Sequence, residues 1–95
     1  MNKTAVVYDV ARETGLPFAR AEKIVNSFLD VVARGLANGE RVTITGFGTF
    51  EVRKRKARLG RVPRTGQRVT IPEHLTPAFI AGVGLKKQVE GKGRA

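Results

Sequence analysis

From Arg53 to Pro72 the chain runs twenty residues with eight cations and no acid: Arg53, Lys54, Arg55, Lys56, Arg58, Arg61, Arg64 and Arg68. A block this dense in one sign repels itself unless a counter-charge arrives. Inward apolar positions disappear after Arg53, yet Val69-Thr70-Ile71 resumes a strand pattern beyond Gly60-Arg61-Val62-Pro63-Arg64-Thr65-Gly66. The segment therefore reads as a long hairpin with its tip near Pro63. Both faces of its outer half read as polar or basic, so it has nothing to pack on and is expected to project from a body built elsewhere.

The rest of the chain carries little net charge. Residues 1–52 hold six bases and six acids, and residues 73–95 add only two positive charges to a total of +10. A polyanion is the natural partner of such a distribution, with nucleic acid first among candidates. Zero Cys and the single His74 leave no thiolate site, no His-based metal site and no nucleophile with base and orienter. The chain is accordingly expected to be no enzyme and to need no cofactor. The Gly-x-Gly at Gly46 and Gly48 lacks a third glycine and a following helix, which argues against a dinucleotide site. An apolar fraction of 41% with 27% charged residues suits a folded chain. No apolar run approaches the roughly 18 residues of a membrane span, and Ala5 to Val7 is too short for a secretory core. A cytoplasmic location is expected.

Ninety-five residues support a single domain, since separate cores arise only in chains two or three times as long. Asn2 or Thr4 can cap a first helix with Val6, Val7, Val10 and Ala11 on one side, stopped by Gly15. Pro17 suits the first turn of a second helix of about six turns, whose apolar residues run to Asn38-Gly39. Ala21, Val25, Phe28 and Val32 form one line while Ile24, Leu29 and Val31 lie off it, so two surfaces need covering. Arg41 to Thr45 alternates as a half-buried strand. Gly46-Phe47-Gly48 reads as a tight corner that throws its ring into the core, followed by a strand with Phe50 and Val52 on one side. Pro72 and Pro77 are expected to bound the return, and His74 to be solvated at the base of the arm. Leu85-Lys86-Lys87 and Val89 suggest a short last helix before a frayed tail.

The expected organisation is one domain over 1–95, with a dimerisation body at 1–52 and 73–90, an arm at 53–72 and a basic tail at 91–95. Removing the arm leaves too few residues for one self-sufficient core, and no metal or disulfide can substitute. An intertwined dimer follows, with the second helix packed on its symmetry mate. Phe28, Val32, Phe47, Phe50 and Phe79 are its expected core. The partner is an identical chain or a paralogue.

These residues resemble a known family. Gly46-Phe47-Gly48-Thr49-Phe50-Glu51-Val52, Arg58, Gly60-Arg61, Pro63, Thr65-Gly66, Pro77-Ala78-Phe79 and Leu85-Lys86 are similar to the HU/integration host factor family of bacterial histone-like proteins. The resemblance covers essentially the whole chain. It implies an α+β fold: a dimer with a helical base of two N-terminal helices, a β-sheet saddle extended into β-ribbon arms, and a short C-terminal helix. It also implies a nucleoid-associated protein that binds the minor groove of double-stranded DNA with low sequence specificity and bends it. Family members wedge the arm-tip proline between base pairs, a role that falls here on Pro63. Two departures stand out: Val62 replaces the usual Asn before that proline, and Val83 stands where many members carry Lys.

The expected DNA contacts are Arg53, Lys54, Arg55, Lys56, Arg58, Arg61, Val62, Pro63, Arg64 and Arg68, with Lys3 and Lys86 from the body; Lys87 reads as an ordinary surface lysine. Six of the eight arm bases are Arg, whose planar fork suits a narrow, negative groove. No aromatic lies in 53–72, which argues against the exposed stacking platforms of single-strand and RNA recognition. Two rivals remain: a helix-turn-helix regulator around Asp9–Ala21, and a ribosomal-type RNA-binding protein. Charge weighs against the first, because a recognition helix should carry the basic face and this half is neutral.

Overall fold

A computed structural model describes residues 1–93, with side chains through Gly91. Three helices and five antiparallel strands make an α+β fold, in the order α1 (Lys3–Thr14), α2 (Phe18–Ala37), β1 (Val42–Ile44), β2 (Gly48–Arg55), β3 (Arg58–Arg61), β4 (Arg68–Ile71), β5 (His74–Ala81) and α3 (Val83–Gly93). The chain forms two compact units, Met1–Gly35 and Leu36 onward.

In the first unit, Asn2 caps α1: its side chain accepts a hydrogen bond from the Ala5 amide at 2.9 Å, satisfying one of the orphan donors of a helix start. Gly15 ends the helix in the left-handed region at φ 72°. The Pro17 carbonyl then accepts from the Ala21 amide at 3.0 Å and opens α2. Val7 and Ala21 are fully enclosed and Val32 is buried, while the Tyr8 and Phe18 rings pack tilted at 46° with centroids 4.6 Å apart. The two surfaces expected of α2 are present, but Phe28 belongs with the second: it is 48% exposed and lies open with Ile24, Leu29 and Val31.

In the second unit, β1, β2 and β5 form a three-stranded sheet in the order β1-β2-β5, and β3 and β4 form a separate two-stranded ribbon. Register places Val42, Ile44, Phe50, Val52, Pro77, Phe79 and Ala81 on one face of the sheet. Phe79 joins the cluster, 4.8 Å from Phe50 and 5.4 Å from Phe47. The corner forms because Gly46, at φ 84°, takes the third position of a turn closed by the Phe47 amide on the Ile44 carbonyl at 2.9 Å. Its ring is not enclosed by its own chain: Phe47 packs on Phe79 yet stays 45% exposed.

Three expectations need correction. Pro77 does not bound the return; it sits inside β5 opposite Val52. β5 is an edge strand, where a missing amide can face the open side. The last helix is not confined to Leu85–Val89 but runs from Val83 to Gly93, so the expected frayed tail is helical as far as it is described; Arg94 and Ala95 lie outside the described residues. The outer hairpin is not polar on both faces, because Ile71 packs over Gly60 beside Val69.

Candidate nucleic-acid interface

The basic block is carried on two ladders in series. The sheet ladder of β2 and β5 runs out to Arg55 opposite His74, and after Lys56-Ala57 on one strand and Pro72-Glu73 on the other, β3 and β4 pair from Arg58 opposite Ile71 to Arg61 opposite Arg68. The sheet face opposite the phenylalanines carries Thr43, Thr49, Glu51, Arg53, Arg55, His74 and Thr76. Alternation divides the ribbon as well. Arg58, Gly60, Val69 and Ile71 share one side, and Leu59, Arg61, Arg68 and Thr70 share the other. Leu59 is 71% exposed, an apolar side chain among arginines.

Two of the eight cations are matched within the chain. Glu51 accepts from Arg53 Nε at 2.9 Å and from Arg41 at 3.0 Å, and Lys54 pairs with Glu73 at 3.1 Å. The Arg53 hydrogen bond first, and that of Arg41 second, hold the Glu51 carboxyl below its usual range. A depressed carboxylate contributes its stabilisation above the ordinary range and loses it as pH falls through the lowered value. Arg55, Lys56, Arg58, Arg61, Arg64 and Arg68 make no ion pair among the described residues. At the outermost rung Arg61 and Arg68 stand directly opposite each other, a like-charge pair that destabilises a bare ribbon.

Pro63 is exposed at the tip, in a loop held by the backbone of Val62. The Val62 carbonyl accepts from Gly66 at 2.8 Å and Thr65 at 3.3 Å, and its amide donates to the Gln67 carbonyl at 2.8 Å. Gly66 adopts φ 69°, and the Gln67 amide reaches Thr65 Oγ1 at 3.2 Å. The loop therefore asks nothing of the Val62 side chain, and replacing Asn there leaves its closure intact.

Of the expected body contacts, Lys3 donates to Asn26 Oδ1 at 3.0 Å, a neutral partner that leaves its charge unmatched. Lys86 is exposed on α3, and Val83 at the start of that helix is exposed too. A cavity of about 430 Å³ opens where the two ladders meet, lined by Arg55, Lys56, Arg58, His74, Thr76 and Pro77. His74 is expected to be solvated at the base of the arm. The structure leaves it exposed there and sets it among three cations, with Nδ1 3.0 Å from the Pro72 carbonyl. Recognising β5 as a full strand would have revealed this, because it puts His74 opposite Arg55.

The model for the family described as bacterial DNA-binding protein matches residues 1–90. This chain belongs to the HU family. It is 47% identical over 90 residues to DNA-binding protein HU-1 of Halalkalibacterium halodurans, covering 95% of this chain and 100% of that one. It is 48% identical over 89 residues to DNA-binding protein HU of Lactococcus lactis, covering 94% and 98%. A solved chain from an Anabaena HU–DNA cocrystal superposes with a TM-score of 0.88 at 37% identity, covering 94% of this chain and 97% of that chain. Membership of the HU family disposes of the helix-turn-helix reading, since the match extends through the ribbon to residue 90. No helix among the described residues is long and apolar enough to cross a membrane.

Proposed function

We infer that this chain is an architectural DNA-binding protein that grips duplex DNA with little sequence preference and works by binding, not catalysis. The observation that carries this is an arm bearing six cations that make no ion pair among the described residues, two of them opposed on one rung. Phosphates supply the missing counter-charge, and release of their condensed ions drives association. Arginine forks suit the minor groove, whose pattern distinguishes little beyond A·T from G·C. Partition into the nucleoid within the cytoplasm follows from such binding.

The finer reading assigns contact to Arg53 through Arg68 along the arm and to Lys3 and Lys86 on the body, with Pro63 as the wedge. Arg53 and Lys54 reach phosphate only by exchanging their carboxylate partners. A dimer presents two arms, and the open apolar side of α2 supports the pairing.

A gel-shift series on linear, nicked and cruciform duplexes tests the reading. For 6 to 10 neutralised phosphates, affinity falls by roughly 10³ to 10⁵ between about 50 and 200 mM salt. Salt-independent binding, or a sharp preference for one sequence, contradicts it. Duplex RNA as competitor separates it from the RNA-binding alternative, because A-form RNA offers a wide, shallow minor groove. Pro63→Ala is expected to reduce bending, read by ring closure, more than affinity; unchanged bending removes the wedge.

A further inference from the structure

Where the two ladders meet, Arg55 ends β2, Lys56 lies in the link, Arg58 begins β3 and His74 begins β5. All four line one cavity with Thr76 and Pro77, and no carboxylate is among its walls. Glu73, the neighbouring acid, is taken by Lys54. Such a pocket is suited to one phosphate group. We propose that this joint seats a DNA backbone phosphate and that His74 supplies a proton-dependent contact to it, so that the duplex is held more tightly as pH falls. The inference rests on the DNA-binding reading and names a residue and a regulation within it.

The Pro72 carbonyl decides how His74 can act. An oxygen acceptor 3.0 Å from Nδ1 requires that nitrogen to carry the hydrogen. In the neutral ring Nε2 then holds only a lone pair, which a phosphate oxygen repels. Protonation turns Nε2 into a donor while Nδ1 keeps its bond to Pro72, so the ring gains a phosphate contact without reorienting. Histidine is the side chain whose ordinary titration spans about pH 5 to 8. The groups facing it are the Arg55 and Lys56 cations from the β2 side, Arg58 from β3, and Thr76 and Pro77 from β5 itself. A seated phosphodiester brings one negative charge beside the ring, which favours the protonated form, so binding takes up a proton. The three fixed cations make the seat at any pH; His74 makes its occupancy sensitive to pH.

The test measures affinity of the full chain and of His74→Gln for one linear duplex at about pH 8 and about pH 5.5, at several salt concentrations. For the wild type, affinity is expected to rise about threefold per arm on acidification, and the salt slope to steepen by about 0.9 per arm. His74→Gln, which has no group that titrates in this range, should lose the excess gain on acidification, whatever its affinity at high pH. Comparing the two proteins cancels titration elsewhere. Equal pH responses of wild type and variant overturn the role of His74. Failure of the wild type to bind duplex at high pH and low salt overturns the DNA-binding reading instead.

Discussion

At the scale of single residues, charge is rationed by Glu51. It is the one acid on the sheet face that carries Arg53 and Arg55, and it holds Arg41 and Arg53 at hydrogen-bond distance. A carboxylate there holds two arginines and also competes with any phosphate for Arg53. Glu51→Gln is therefore expected to tighten DNA binding and steepen the salt slope by about 0.9 for each arginine released. It should also lower stability slightly at neutral pH, a difference that closes on acidification because the wild-type carboxyl is then neutral too. Unchanged affinity in a salt titration would show that Arg53 does not reach the duplex. Gly48 sets a different kind of limit. A Cβ at this buried position would lie 2.6 Å from the Ile80 carbonyl and collide with the Phe79 ring. Backbone cannot yield as a flexible side chain can, so Gly48→Ala should cost about 3 kcal/mol or more in a denaturant melt.

At the scale of elements, the ribbon combines a stabilising side with a destabilising one. Ile71 over Gly60, beside Val69, gives one face an apolar contact, while the other carries Arg61 against Arg68. Arg68→Glu converts that rung into a favourable cross-strand pair of about 0.2 to 1 kcal/mol. The same change should protect the Val62 and Gln67 amides in hydrogen exchange while weakening DNA binding, opposite signs from one substitution. If both move together, the like-charge rung is not held in place for phosphate. Sequence displayed this element mainly through charge: eight cations without an acid marked the arm, Val69-Thr70-Ile71 its return, and Gly60, Pro63 and Gly66 its tip. What it concealed was the far strand. Pro77 reads as a stop under the rule that proline lacks a ladder donor, but on an edge strand that donor is not needed, so β5 passes through it. Missing β5 also hid the pairing of Arg55 with His74. The helices were legible from the Asn2 cap, Gly15 and the 3.6-residue apolar repeat, whereas α3 has weak amphipathic patterning and its extent to Gly93 was not.

At the scale of the molecule, the question is what makes so small a chain fold. Among the described residues only Val7, Ala21 and Val32 are buried hydrophobics, while Ile24, Phe28, Leu29 and Val31 of α2 stay about half exposed, as do Phe47 and Phe79 of the second unit. Aromatic rings left in water contribute little of the roughly 25 cal/mol per Å² that burial would give. No cysteine is present to form a staple. A second copy of the chain, as proposed above, would cover both the open side of α2 and the exposed rings, and would present two ribbons to one duplex. Folding is then inseparable from association, and the melting temperature should rise with protein concentration. Phe28→Asp places a charge on the open side of α2 and leaves the buried Val7, Ala21 and Val32 unsubstituted. It is expected to shift sedimentation from dimer to monomer and to remove the cooperative melt at micromolar concentration. A Phe28→Asp chain that sediments as a monomer, melts cooperatively and shows no concentration dependence would mean that each chain's own small core is enough, and the two-armed grip would lose its platform.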